Sequence, residues 1–188
     1  MEKTVTIELI TPMLGTVPKN KEIYADFIAT KNPAGIDNEE VQTIEEIEEK
    51  GWTGFHSDEQ GLFVYDYFIK GFLKNAGNVL KEELKIKALR SKISDFLFVK
   101  PRKIYIGQKV DGILERPLRG QTAQGQRVTL VRSDFIKEGT KITFQLKLLP
   151  HKELTWEVID SLWAYGEDQG LGQFRGGGYG RFIIIKEA

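Results

Sequence analysis

The chain has 188 residues, 40% of them hydrophobic, with 27 Lys and Arg balanced by 27 Asp and Glu. That length buries a substantial core, the apolar content excludes a disordered chain, and the zero net charge excludes a binder that holds nucleic acid through bulk charge alone. With no cysteine, disulfides, thiolate nucleophiles and thiolate metal sites are excluded, and His56 and His151 leave little for histidine catalysis.

From Val5 to Ile10 apolar residues alternate with Thr6 and Glu8, which predicts a first strand ended by Thr11-Pro12. Residues 13–60 read as a long insertion, irregular and then acidic, with a short exposed helix around Ile44 and Ile47. Leu62 to Tyr67 reads as a short extended stretch, and Phe72, Leu73, Ala76, Val79 and Leu80 predict a helix over 69–84. Strands are predicted at 96–99 and 103–106, where Pro101 confines the junction to an edge or turn, and again at 127–131 and 141–149. In the last of these Ile142, Phe144, Leu146 and Leu148 share one face. Thr155 is placed to cap a helix bearing Trp156, Ile159, Leu162 and Trp163, expected to stop at Gly166. Phe182 to Ile185 is a final buried strand. The order predicts an α+β protein: a modified ferredoxin-like, RNA-recognition-like antiparallel sheet with two main helices, in a single domain over 1–188 with an insertion at about 13–60. No stretch approaches the roughly 18 apolar residues of a membrane span. MEKTVTIELITP lacks a leader's apolar core, so the expectation is a cytoplasmic protein with no membrane contact.

The balanced charge is unevenly placed. Residues 35–60 hold nine acids against Lys50, whereas residues 99–132 hold eight bases against Asp111 and Glu115. Such segregation makes opposed surface fields, and an anionic partner feels the patch rather than the sum. In the basic segment Arg116, Arg119, Arg127 and Arg132 are arginines, the type suited to bidentate phosphate contact. Lys70 and Lys74 stand four apart on one helical face and are further phosphate candidates.

The most unusual stretch is GLGQFRGGGYGRF, residues 170–182, with six glycines, two arginines, three aromatics and no acid. It precedes a strand and lacks Gly-Lys-Ser/Thr opening a helix, so it is neither a Walker A loop nor a dinucleotide fingerprint. Gly172, Gly176, Gly177 and Gly178 would let the backbone lie against a partner, Arg175 and Arg181 would neutralise phosphate, and Phe174 and Tyr179 would stack on bases. The alternative is a glycine hairpin serving only the fold. His56-Ser57-Asp58 is not read as a triad, since triad members meet in space rather than in sequence.

IKGFLK after a short aromatic stretch, EGTKITFQLKLL, and the glycine-rich run together resemble, in their order, the RAMP superfamily, CRISPR-associated proteins whose backbone subunits assemble along RNA. The resemblance covers roughly residues 60–188 and the first strand. It implies the modified ferredoxin-like fold with a side insertion, and nucleic-acid binding along the glycine loop and basic face. Cleaving members carry an acidic residue for which only Asp26 or Asp37 could stand in, and neither lies in a matching motif. The expectation is therefore a binder of single-stranded RNA, with copies of itself or other RAMP-like subunits as partners, and with no catalytic residue, metal or cofactor assigned. Alternatives are a phage or mobile-element protein acting on a host or CRISPR protein, and a metal-dependent ribonuclease.

Overall fold

The computed structural model describes residues 2–19, 51–122 and 125–185, and only the backbone at 118–122, 125–127 and 129. The expected acidic helix and Asp26 and Asp37 lie outside the described residues.

The central sheet is built from β1 (Glu2–Leu9), β7 (Leu97–Lys100), β11 (Lys141–Leu148) and β12 (Phe182–Ile185). Its order is β12-β1-β11-β7 and every pairing is antiparallel. Numbered in chain order these strands run 4-1-3-2, two interlocked split β-α-β units, as the ferredoxin-like expectation requires. Between β1 and β7 come α1 (Asp66–Leu80) and the short α2 (Leu89–Phe96), and α3 (Trp156–Gln169) joins β11 to β12.

Alternation along β11 sends Ile142, Phe144, Leu146 and Leu148 into the core, where they meet Ile69, Phe72 and Leu73 of α1 and Ile159, Leu162 and Trp163 of α3. Burying an aliphatic or aromatic side chain stabilises by about 1.5–3 kcal/mol, and the helices cover one face of the sheet only. The other face pairs its polar groups with one another, the Thr6 and Thr143 hydroxyls 2.9 Å apart and Lys100 meeting Glu2 at 3.0 Å, and exposes Phe98 and Ile183 on its two edge strands.

A second sheet joins β2 (Met13–Leu14), β10 (Gly125–Ile136), β4 (Trp52–Gly54) and β3 (Val17–Pro18), with β9 (Gly112–Thr122) on the free side of β10. A third, smaller one joins β5 (His56–Asp58), β6 (Gly61–Tyr65) and β8 (Lys103–Gly107).

Four sequence expectations are corrected here. Both ends of the 13–60 segment are strands rather than irregular chain, and Met13 and Leu14 are fully buried. The first helix runs over 66–80 instead of 69–84, ending before the charged stretch that follows. β9 is a full strand absent from the sequence expectations; it pairs with β10 alone among the described strands, and Pro117 is tolerated at such an edge. Gly166 does not end the last helix. It is a crossing point, since a Cβ there would stand 2.2 Å from the Phe72 ring, and termination falls to Gly170 at φ +78°. Gly166→Ala accordingly destabilises by about 1–3 kcal/mol through overpacking, read as a lower denaturant midpoint at unchanged m-value.

Candidate nucleic-acid interface

The glycine run is a held loop. At its base the Gly180 amide donates to the Pro12 carbonyl at 2.8 Å and the Leu171 amide donates to the Gly180 carbonyl at 2.8 Å. Ile10 and Thr11 both donate backbone N–H groups to the Arg181 carbonyl. The tip is a 3₁₀ turn, Arg175–Gly177, closed by Gly177 N–H to Phe174 O and Gly178 N–H to Arg175 O.

The glycines divide by what they are for. Gly170, Gly172 and Gly180 take positive φ, and a Cβ on any of them would strike a backbone carbonyl at 2.6 Å or less. Of the three consecutive glycines only Gly178 has positive φ, at +82°. Gly177 would carry a Cβ into the Phe174 ring at 2.4 Å. Gly176 has neither constraint: it is exposed, outside the positive-φ region, and has nothing within 4 Å of a built Cβ. Of the three, the turn requires positive φ at Gly178 alone.

Beneath the tip sits Gln173, a junction that sequence reading missed because a lone glutamine carries no pattern. Its Oε1 accepts from Thr53 Oγ1 at 2.9 Å, Ser133 Oγ at 3.1 Å and Arg116 Nη2 at 3.4 Å, which fastens the second sheet under the loop. Arg116 lies with its Cζ 4.3 Å from the Phe174 ring centroid, and its Nε and Nη1 are buried with no hydrogen-bond partner. Burial pulls its pKa below the usual guanidinium value, with Tyr179 acting the other way. The group stays charged. Phe174 is 44% exposed above it and tilts against Tyr179 at 5.6 Å.

Charge pairing thins the basic segment. Lys100, Arg102, Lys103 and Arg132 each meet a carboxylate, respectively Glu2, Asp66, Asp58 and Glu115. No carboxylate among the described residues pairs with Arg116, Arg175 or Arg181. These three arginines thus bring cations without a paired carboxylate to the loop and to the strand under it.

The other candidates are distributed around it. Arg132 directly precedes Ser133 on β10, so alternation turns it to the far side of the hairpin, against Glu115 at 2.7 Å and 6.0 Å from the Trp52 ring. By ladder register Arg127 stands opposite Gly120 and Arg119 opposite Val128; their side chains are outside the described residues. Lys70 places Nζ 4.8 Å from the Phe98 ring; desolvation, with Lys74 next, lowers its pKa. Phe68, Gly71, Phe72 and Asn75 of α1 instead line a groove of about 150 Å³ with Leu171, Gly172 and Arg175. Gly71 is exposed there with nothing within 4 Å of a built Cβ, although a helix-interior glycine costs about 1 kcal/mol relative to alanine. His56 and Asp58 of the discounted triplet go separate ways: His56 stacks on Phe63, and the Asp58 carboxylate accepts from Lys103 and Tyr105.

The strand order, the helices on one face and the loop before the last strand define an α+β protein of ferredoxin-like architecture. No family model matches the chain, and no curated protein matches it. Among solved structures, a chain in the cryo-EM structure of a type III-B Cmr-beta bound to cognate target RNA shares the fold, with a TM-score of 0.55 at 12% identity. The alignment covers 98% of this chain and 58% of that one, so this chain spans little more than half of its neighbour. None of its described helices is long and apolar enough to cross a membrane.

Proposed function

We propose that the protein is a RAMP-like, non-catalytic binder of single-stranded nucleic acid, RNA foremost, held along the glycine loop and the adjoining flank of α1. The observation that carries this reading is Arg116, a guanidinium stacked under an exposed aromatic ring with two nitrogens lacking an acceptor and no carboxylate beside it. The long Gln173 bond engages one guanidinium nitrogen and leaves the other two unanswered, and burying an unsatisfied charge is costly. With an anion nearby the arrangement makes sense: Phe174 offers its open face to a base, and the cations at Arg116, Arg175 and Arg181 attract the phosphates. Gly71, which lines the groove, and Gly176, next to the groove residue Arg175, support the same reading, because they keep backbone bare where the fold does not need it. The solved neighbour was bound to RNA.

The test is anisotropy of a labelled single-stranded RNA across a salt series. Three phosphate contacts give a slope of about −2 in log affinity against log salt, at about 0.7 per contact. Arg116→Leu lowers affinity about tenfold and flattens the slope by about 0.7, while stability is unchanged or raised, because an unsatisfied buried group has gone. No binding by the intact protein, or full affinity in the variant, overturns the reading.

A second reading has its own observation. Ile113, Val128 and Leu130 are exposed on the Arg132 side of the β9–β10 hairpin, Val128 at 64%. An apolar strip on a projecting hairpin suits a protein surface, either another copy assembling along the strand or a host or mobile-element partner. Leu130→Lys then lowers the mass measured by light scattering in the presence of RNA; unchanged mass leaves the strip without this role.

A further inference from the structure

The third sheet carries an aromatic face that the loop does not account for. Strand alternation sends Leu62 and Val64 of β6 into the core, so Phe63 and Tyr65 point outward with His56 of β5 and Tyr105 of β8 beside them. The rings interlock. Phe63 lies 5.5 Å from His56, 5.2 Å from Tyr65 and 5.9 Å from Tyr105, and Tyr65 stacks on Tyr67 at 5.3 Å. Arg102 lies 4.9 Å from the Tyr65 centroid and 5.4 Å from that of Tyr67, and Lys103 is 4.6 Å from Phe63. The rings are also fixed in direction, because the Tyr105 hydroxyl donates to Asp58 at 3.1 Å, and Asp58 also takes Lys103 at 2.6 Å. The outermost rings are part-exposed, Tyr67 at 53% and Tyr105 at 37%.

We propose that this face is a base-stacking subsite, on which Tyr67 and Tyr105 receive bases of the same single strand that lies on the glycine loop. The proposal rests on the nucleic-acid reading above. Its argument is continuity. Tyr67 is the second residue of α1 and shares the helix's exposed side with Gly71 four residues on, where Lys74 follows three later. At 1.5 Å per residue Gly71 is about 6 Å along the axis from Tyr67, and Gly71 already lines the groove that contains Arg175. A strand leaving the loop along this bare flank arrives at the tyrosines. Chemistry agrees with bases as the occupants rather than phosphates: Arg102 and Lys103 are already paired with Asp66 and Asp58, so the face offers flat π surface and little uncompensated charge. Every base has a π face, so stacking of this kind tolerates sequence.

The experiment compares a uridine oligonucleotide with an abasic ribose-phosphate strand of equal length, with wild type, Tyr67→Leu, Tyr105→Leu and Tyr105→Phe. The leucines keep apolar bulk and remove the ring. Wild type is expected to prefer the base-bearing strand. Each leucine variant then loses roughly tenfold in affinity for that strand, with abasic binding and salt slope unchanged, while Tyr105→Phe binds as wild type. Melting curves accompany each variant; if Tyr105→Leu melts early, Tyr67→Leu, at a half-exposed position, carries the result. Equal affinity of wild type for both strands, or full base preference in Tyr67→Leu, overturns the stacking subsite and leaves the loop reading standing. Failure of wild type to bind either strand overturns both. A change in the protein's mass in Tyr67→Leu with RNA affinity intact makes the face a protein contact and overturns the proposal as well.

Discussion

Gly180→Ala lowers the stability of the protein by about 4 kcal/mol, a large share of the 5–15 kcal/mol typical of a domain. Two independent costs add. The residue sits at φ +74°, where a side chain is strained by roughly 1–3 kcal/mol. The new Cβ would also stand 1.8 Å from the Leu171 carbonyl oxygen, 2.8 Å from its carbon and 2.9 Å from its nitrogen. These are backbone atoms of the residue that bonds back to Gly180, so relief requires breaking the Leu171 to Gly180 hydrogen bond or shifting the Gly180 bond to Pro12. Urea denaturation measures the loss as a lower midpoint. Gly176→Ala is the companion: with open space around it and no positive φ, it leaves the midpoint unchanged or slightly higher. Equal effects of the two substitutions would contradict a loop anchored at its base and open at its tip.

The same contrast shows where sequence reasoning had purchase. Strong patterns were legible: the alternating β11 and the apolar stripe of α1 lie where their patterns put them, the Phe182–Ile185 strand is in place although only Phe182 of it is buried and Ile183 is 43% exposed, and the strand and helix order sufficed for the ferredoxin-like class. Elements whose stability comes from their neighbours were not. α2 has only Leu89 and Ile93 buried in eight residues, too few to make a period. β4 is three residues long and exists because β10 pairs with it, through Arg132↔Trp52 and Ser133↔Thr53.

For the site, residue type was informative and partnership was not. Arg116 and Arg132 look alike in sequence, yet sixteen positions and one strand reversal put the first under Phe174 and the second against Glu115 on the opposite side of the hairpin. Spacing makes Lys70 a phosphate candidate but does not show that its ammonium lies over Phe98. The aromatic face was within reach, since Phe63, Tyr65 and Tyr67 recur at every second position, but Tyr105, which completes it, comes from a distant strand.

Gly176→Val reduces affinity for single-stranded RNA about a hundredfold at unchanged melting temperature. The position carries the largest expected effect on binding because it combines exposure with proximity to the loop's cations: Arg175 precedes it and lines the groove with Gly71, and a branched side chain would project where backbone is now bare. A Cβ there has nothing within 4 Å and the position is exposed, so the fold has little reason to resist the side chain. A strand seated against the tip would have to retreat by the thickness of that side chain, about a methyl group or two, and would lose its hydrogen bonds and phosphate contacts together; a hundredfold corresponds to about 2.7 kcal/mol, the worth of one or two charged hydrogen bonds. Gly177→Val cannot make this test, since its Cβ would push on the Phe174 ring and mix a packing defect with a binding defect. Arg175→Ala gives the electrostatic half of the comparison, flattening the salt slope by about 0.7, whereas Gly176→Val removes a close approach without removing a charge. If Gly176→Val binds RNA as wild type does while Gly180→Ala unfolds readily, the glycines of the run serve the architecture of the loop and the strand lies elsewhere on the molecule.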